Sequence, residues 1–339
     1  MAMRTQGKSG AFGWLAVTAG AFLWAFPAAA EAAFPGANGR IAFTVQQWRA
    51  PPPPEPPPPD APYTRPGYDE PVLVSSRIET VLPSGQGRRV LYTLPVGEAS
   101  YPGESSSAPA WSPGGGRLAF EEGGRLAIMR PDGTGLRRLP QLTDRDGEPA
   151  WSPDGHRLAF IGTRSCLYCT WPFTVRSDGT GLRRVINRGA GSPAWSTTGT
   201  LAFLNTTDRG LYSVRPDGSR LRRLFGRYWG WGNQPDWSPD GSRVAFSARG
   251  RIFSIGRSGR GLRRLTANQP GHSDPAWSPD GRYIAFPGYT FADGHGLYVM
   301  RSDGSGPRQV VDARQTTSSD GELLEWEVVG APSWRPLPR

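Results

Sequence analysis

From residue 110 onward the pattern of apolar and polar positions repeats. A short apolar strand ends at a tryptophan, a polar turn follows, and an alternating strand succeeds it, most clearly in Trp151-Ser152-Pro153-Asp154-Gly155-His156-Arg157-Leu158-Ala159-Phe160. Relatives of this phrase start at Trp111 (WSPGGGRLAF), Trp195 (WSTTGTLAF, one residue shorter), Trp237 (WSPDGSRVAF) and Trp277 (WSPDGRYIAF), so the tryptophan-to-tryptophan steps are 40, 44, 42 and 40. A period of about 40–45 residues is the length of one four-stranded propeller blade. Within the phrase, Pro-Asp-Gly supplies a fixed φ, a side chain that bonds its own backbone, and a residue free to take φ > 0, which together make a tight turn. Arg-Leu-Ala-Phe then alternates polar and apolar as the next strand.

A second phrase follows each copy: Arg130-Pro131-Asp132-Gly133-Thr134-Gly135-Leu136-Arg137-Arg138-Leu139, then residues 176–185, 215–224, 256–265 and 301–310. Its hairpin joins a third strand to an outer fourth one. One such antiparallel meander cannot bury both faces alone, so neighbouring units must pack face to face and close a ring. The two ends of the chain supply the missing unit. Asn38-Gly39-Arg40-Ile41-Ala42-Phe43 is a second-strand phrase with no tryptophan strand before it, and Pro332-Ser333-Trp334-Arg335-Pro336 is a tryptophan strand with nothing after it. Residues 77–91 align with 125–139 and supply the remaining two strands. The expectation is an all-β, six-bladed propeller of four-stranded antiparallel blades over 34–339, its first blade closed by the C-terminal strand.

The first 33 residues stand outside this pattern. Arg4 and Lys8 precede an apolar run from Ala11 to Phe26, and small residues offer cleavage sites after Ala30 or Ala32. This reads as a secretory signal peptide. A retained membrane anchor is the alternative, but the run is short against the roughly 20 apolar residues a spanning helix needs. An extracytoplasmic location, periplasmic or secreted, is therefore expected. No cysteine lies near the cleavage sites, which argues against a lipoprotein.

Charge sharpens the picture. The formal net charge is +10, and Lys8 is the only lysine, so beyond the leader all basic charge is arginine. Much of it is repeat-borne, in Arg88/Arg89, Arg137/Arg138, Arg183/Arg184, Arg222/Arg223 and Arg263/Arg264 on the outer strands. Charges on an outermost strand discourage edge-to-edge pairing. The competing use is a rim for an anionic polymer, and export disfavours nucleic acid as that polymer. The stretch from 46 to 69, with Pro51–Pro54 and Pro56–Pro59, is polyproline-like and forms a surface loop of blade one. It is a stiff solvated loop or a ligand for a proline-recognising partner.

Cys166 and Cys169 sit in the loop 162–170, where an oxidising compartment favours a local disulfide. Redox chemistry or half a zinc site would use the same spacing, but no second cysteine pair accompanies it. Ligand sites belong on the face that carries the loops between blades and between strands two and three. There Tyr228, Trp229 and Trp231 crowd a glycine-rich loop and would stack on a sugar, clamp a peptide or plug the channel. Asp236 replaces the small residue before the other repeat tryptophans and is expected to pair with an arginine in the channel or between blades. Asp144, Asp146 and Glu148 resemble part of a calcium loop but lack the rest of the ligand series. The chain shows no Gly-x-Ser-x-Gly elbow, no His-Glu-x-x-His and no phosphate loop, and it has three histidines, so no catalytic residues are assigned.

The recurring Pro-Ala-Trp-Ser-Pro-Asp-Gly-x-x-Leu-Ala-Phe, with Arg-Ser/Pro-Asp-Gly-x-Gly-x-Arg-Arg-Leu, resembles the TolB-type (WD-like) propeller repeat over about residues 34–339. The resemblance implies a six-bladed propeller that binds partners in the cell envelope. TolB carries an N-terminal α/β domain for which residues 34–110 have no room. The leading expectation is an exported, non-enzymatic scaffold, monomeric and without cofactor, that binds an envelope or secreted protein or a cell-wall glycan on its loop face. The alternative is a propeller enzyme acting on a glycan or lactone with loop carboxylates and calcium.

Overall fold

The computed structural model describes residues 37–51, 71–95, 108–164, 169–227, 234–266, 271–290, 294–317 and 323–337. Six antiparallel sheets follow one another around a ring. Blade two is typical: the inner strand Ala110–Trp111, then Leu118–Glu122, Arg125–Met129 and the outer Arg137–Arg138. Blades three to six repeat the order from the inner strands Arg145–Trp151, Ala190–Trp195, Asp236–Trp237 and Ala276–Trp277. No helix among the described residues is long and apolar enough to cross a membrane.

The turn chemistry is as its residues dictate. In blade three the Ser152 hydroxyl accepts from Arg157 N at 2.9 Å and donates to Asp154, whose carboxylate also accepts from His156 N at 2.9 Å. Asp240 and Asp280 do the same in blades five and six. Asp132, Asp178, Asp217 and Asp303 each accept the amide two residues on. These aspartates are turn formers.

Packing between blades closes the ring. The phrase's phenylalanines, Phe43, Phe120, Phe160, Phe203, Phe246 and Phe286, are all buried, as are the repeat tryptophans. Phe160 stacks on Phe173 directly across the ladder, and Phe203–Tyr212, Phe246–Phe253 and Phe286–Tyr298 repeat that pair with centroids 5.6–5.8 Å apart. The hairpin glycines sit against the preceding blade: a Cβ on Gly133 would lie 2.6 Å from Leu91 O, on Gly218 2.5 Å from Val185 O, and on Gly304 2.2 Å from Leu265 O. Only a residue without a side chain fits there. Arginines add a latch that the sequence reading did not include. Arg183 Nη2 donates to Asp217 O at 3.3 Å and Arg222 Nη2 to Ser258 O at 2.6 Å, while Arg137 reaches Ser177 O and Arg308 reaches Pro83 O. Each ties an outer strand to the next blade's turn, and the last ties blade six to blade one.

Blade one is assembled from both ends of the chain, as expected. Ala37–Arg49 pairs with Val72–Val81, which pairs with Arg89–Leu94, and Ser333–Leu337 lies along the first half of Ala37–Arg49 with Ile41 opposite Trp334. Two strands were not anticipated. Leu323–Val329 continues the closing strand's line, pairing with Val45–Arg49, and Gln315–Thr317 pairs outside it. The proline-rich loop consequently starts later than composition implied. Gln46–Arg49 are strand residues with Gln46 and Trp48 buried, because the long strand is paired on both edges; residues 52–70 lie outside the described residues.

A cluster of ion pairs binds the added strand. Glu79 and Glu327 are buried, and Arg77 and Arg88 each bridge both carboxylates, with contacts of 3.1 and 2.5 Å for Arg77 and 2.6 and 3.2 Å for Arg88. Arg88 also donates to Asp312 O at 3.1 Å, and Glu327 accepts from Arg314 N at 3.1 Å.

Candidate functional site

The inner strands bring one column of the repeat to the ring's axis, the residue three before each tryptophan: Ala331, Ala108, Glu148, Ser192, Gln234 and Asp274 for blades one to six. Proline follows each of them, so the strand has no amide to pair at that point. In blades three and four the ladder register breaks there, between Gly147 and Ala150 and between Gly191 and Ala194. Glu148, Ser192 and Asp274 take φ of 54°, 49° and 46°. Such a bulge re-aims a side chain, and left-handed non-glycine backbone, which costs on the order of 1 kcal/mol or more, concentrates at functional sites.

Neighbouring members touch. Ala108 packs on Ala331, Glu148 Oε2 accepts from Ser192 N, and Asp274 accepts from Gln234 N. Glu148 and Asp274 belong to opposite blades of the ring, and each is buried. Burial pushes the Glu148 carboxyl up to about 8, with Glu121 and Asp274 adding negative charge nearby. Burial likewise raises Asp274 to about 7. Both carboxyls are thereby set close to neutrality, where they can donate as well as accept. Gln234 Nε2 and Asp274 Oδ1 are buried with no hydrogen-bond partner among the described residues. His272, two residues before Asp274, packs edge-on against Phe286 at 5.0 Å, and burial lowers its pKa.

The residues singled out from sequence fall in several places. Tyr228, Trp229, Trp231 and Cys166 lie outside the described residues, while Cys169 is disulfide-bonded. Asp236 is buried, and its Oδ2 accepts from Trp277 N of the next blade at 2.6 Å. That backbone amide lies across the blade junction, because the position before each tryptophan faces the following inner strand. Ser333 does the same for Trp111 N. The triad Asp144, Asp146 and Glu148 is not gathered on one point. Asp146 accepts from Leu142 N and Thr143 N, both at 2.9 Å, and from the Thr143 hydroxyl, while Glu148 turns to the axis. Among the described residues no group of three or more histidine, cysteine, aspartate or glutamate side chains is placed to hold a metal ion. Ser192, Gln234 and Asp274 were missed in the sequence. Aligning the repeats on tryptophan and reading the third column before it picks them out.

In sequence, no family model and no curated protein matches the chain. In structure, it is similar to TolB from Acinetobacter baumannii, with 18% identity, a TM-score of 0.61, and coverage of 88% of this chain and 67% of that one. A protein assigned as a TolB from Agrobacterium tumefaciens matches at 20% identity and a TM-score of 0.58, over 86% of this chain and 99% of that one. A chain of the nidogen/laminin complex matches at 9% identity and a TM-score of 0.58, over 88% of this chain and all of that one. Ring, blade count and repeat agree on one conclusion: the chain is a TolB-like six-bladed β-propeller.

Proposed function

We infer that the protein is an exported, non-enzymatic scaffold that recruits an envelope or secreted protein, or a cell-wall glycan, at the loop face and the mouth of its channel. The observation that carries this reading is the unfinished polar ring on the axis. Gln234 Nε2 and Asp274 Oδ1 are buried and unpartnered among the described residues, a cost that an incoming polar group would offset. The likeness to TolB structures supports an extracytoplasmic setting, and the nidogen/laminin match comes from a complex between proteins. The glycine-rich loop 226–235 leads directly into Gln234 and Asp236, so Trp229 and Trp231 are placed in sequence to extend the same site.

The test is capture of envelope components by the immobilised protein and its variants. Trp229→Ala and Trp231→Ala are expected to weaken capture about thirtyfold, the loss of roughly 2 kcal/mol typical of an aromatic anchor, and to fold normally. Trp151→Ala, which removes a fully buried repeat tryptophan, is expected to destabilise the fold. Unchanged capture per folded molecule in both loop variants would remove the loop from the site. A second reading, a propeller enzyme, draws on the two buried carboxyls held near neutrality, the range in which general acid–base groups work. Stoichiometric calcium after purification together with turnover on a glycan panel would favour it.

A further inference from the structure

On the opposite face, the junction of blades four and five departs from the repeat at three positions. The residue entering each second strand is Arg40, Arg117, Arg157, Arg243 or Tyr283, but in blade four, where the turn is one residue shorter, it is Thr200. Position 220 is arginine, whereas the equivalent Gly87, Gly135, Gly181, Gly261 and Gly306 all take the left-handed φ that the hairpin demands. Position 257 is arginine where the other hairpins have Pro83, Pro131, Ser177, Pro216 and Ser302.

Thr200 removes a side chain that bonds its own hairpin in blades one and five, Arg40 to Gly87 O and Arg243 to Gly261 O, and reaches over the next blade at the blade-two junction. There Arg117 lies 4.3 Å over the Trp151 ring, and its Nη2 donates to Gly155 O at 2.7 Å. Trp237 and Gly241 are the matching residues of blade five. With Thr200 in place of the arginine, they border a cleft of about 680 Å³. Arg220 and Arg257 line it, joined by the repeat-borne Arg215 and Arg222. Arg220 holds φ of 55°, a strain that the glycine of the other blades avoids. One arginine has been removed from the cleft's interior and two have been placed on its walls.

We propose that this cleft is a binding site for a small, hydroxylated polyanion, a sugar carrying two or more phosphate or carboxylate groups. Four arginines and one carboxylate line the cleft; Arg222 keeps its bond to Ser258 O, and the Asp217 carboxylate already accepts from Ser219 N at 2.9 Å. Planar guanidiniums bind both phosphate and carboxylate through paired hydrogen bonds. Thr198, Thr200 and Ser213 line the same cleft and bring hydroxyls that suit those of a sugar. The volume lies within the roughly 300–1,000 Å³ of small-molecule sites. The arginines are exposed, so affinity depends on several charges acting together and falls with salt. This site lies on the turn face and stands apart from the loop-face reading.

Titration calorimetry at low ionic strength tests it, with fructose 1,6-bisphosphate and a uronic acid trisaccharide as probes and maltotriose as the neutral control. At least one polyanion is expected to bind one to one and to weaken as salt is added, maltotriose is expected not to bind, and the preferred probe identifies the anionic group. Arg220→Gly restores the repeat's glycine and is expected to keep or raise the melting temperature while lowering affinity roughly ten- to hundredfold. Thr200→Arg restores the missing side chain and is expected to block the cleft. Arg184→Ala, which removes one charge from the outer strand of blade three, should leave affinity unchanged. The proposal is overturned if neither polyanion binds, if Arg220→Gly and Thr200→Arg both retain wild-type affinity, or if Arg184→Ala weakens binding as much as Arg220→Gly.

Discussion

At the scale of single residues, the axial carboxyls couple folding to pH. Glu148 titrates at about 8 in the folded protein against an ordinary 4.5, and Asp274 at about 7 against 3.8. The folded state therefore holds protons that the unfolded chain releases, and stability falls as pH rises through each window. Below the ordinary value both states are protonated and the penalty vanishes. The turn aspartates act in the opposite sense. Hydrogen bonds from their own turns hold Asp132, Asp178, Asp217 and Asp303 low, so their contribution is present above the ordinary carboxylate value and fades in acid. Glu148→Gln isolates the first effect, since the amide keeps an acceptor for Ser192 N and cannot ionise. The variant should match wild type near pH 4.5 and gain on it steadily up to about pH 8, ending ahead by on the order of a few kcal/mol. Parallel melting-temperature profiles for the two proteins from pH 4.5 to 9 would show that Glu148 does not carry this coupling.

At the scale of elements, the repeat phrases were readable because each turn is a local bargain among Ser, Asp and Gly that needs no distant partner. The strands Gln315–Thr317 and Leu323–Val329 were not, although the step from Trp277 to Trp334 is 57 residues and Leu324-Glu325-Trp326-Glu327-Val328 alternates. Glu327 looks like a solvent-facing position in that alternation. Only its meeting with Arg77 and Arg88 makes it a buried one, and those partners lie more than 200 residues away in sequence. Removing one member of such a cluster strands the others. Glu327→Ala should cost about 3 kcal/mol in urea unfolding, and the double variant with Arg88→Ala should cost less than the sum of the single changes. Additive costs would mean that the extra strand is held by its backbone pairing alone.

At the scale of the whole molecule, the ring was legible because two incomplete phrases at opposite ends of the chain complement each other. The axial site was not, because its members lie about 40 residues apart and meet only when the ring closes. Asp236 makes the same point: its identity stood out, but its backbone partner on Trp277 depends on how two inner strands abut. The closing strand adds its own contacts where the ring closes. Trp334 Nε1 donates to Ala276 O of blade six at 3.0 Å, Arg335 donates to Gly115 O of blade two at 2.9 Å and lies over Trp111 at 5.3 Å, and Ser333 accepts from Trp111 N. The closing strand thus bonds to the blades on both sides of its own. Deleting Pro332–Arg339 would remove all of these at once, expose Ile41 and Phe43, which are fully buried, and leave blades six and two without the strand that bonds to both. Burying one such side chain is worth about 1.5–3 kcal/mol, so loss of the strand should lower the melting temperature by well over ten degrees for a protein whose whole stability is about 5–15 kcal/mol. Trp334→Ala should reproduce part of that loss, through the cavity it leaves between blades six and one. A truncated chain that melts at the wild-type temperature would mean that the ring is held by its other interfaces and that the C-terminal strand is not its clasp.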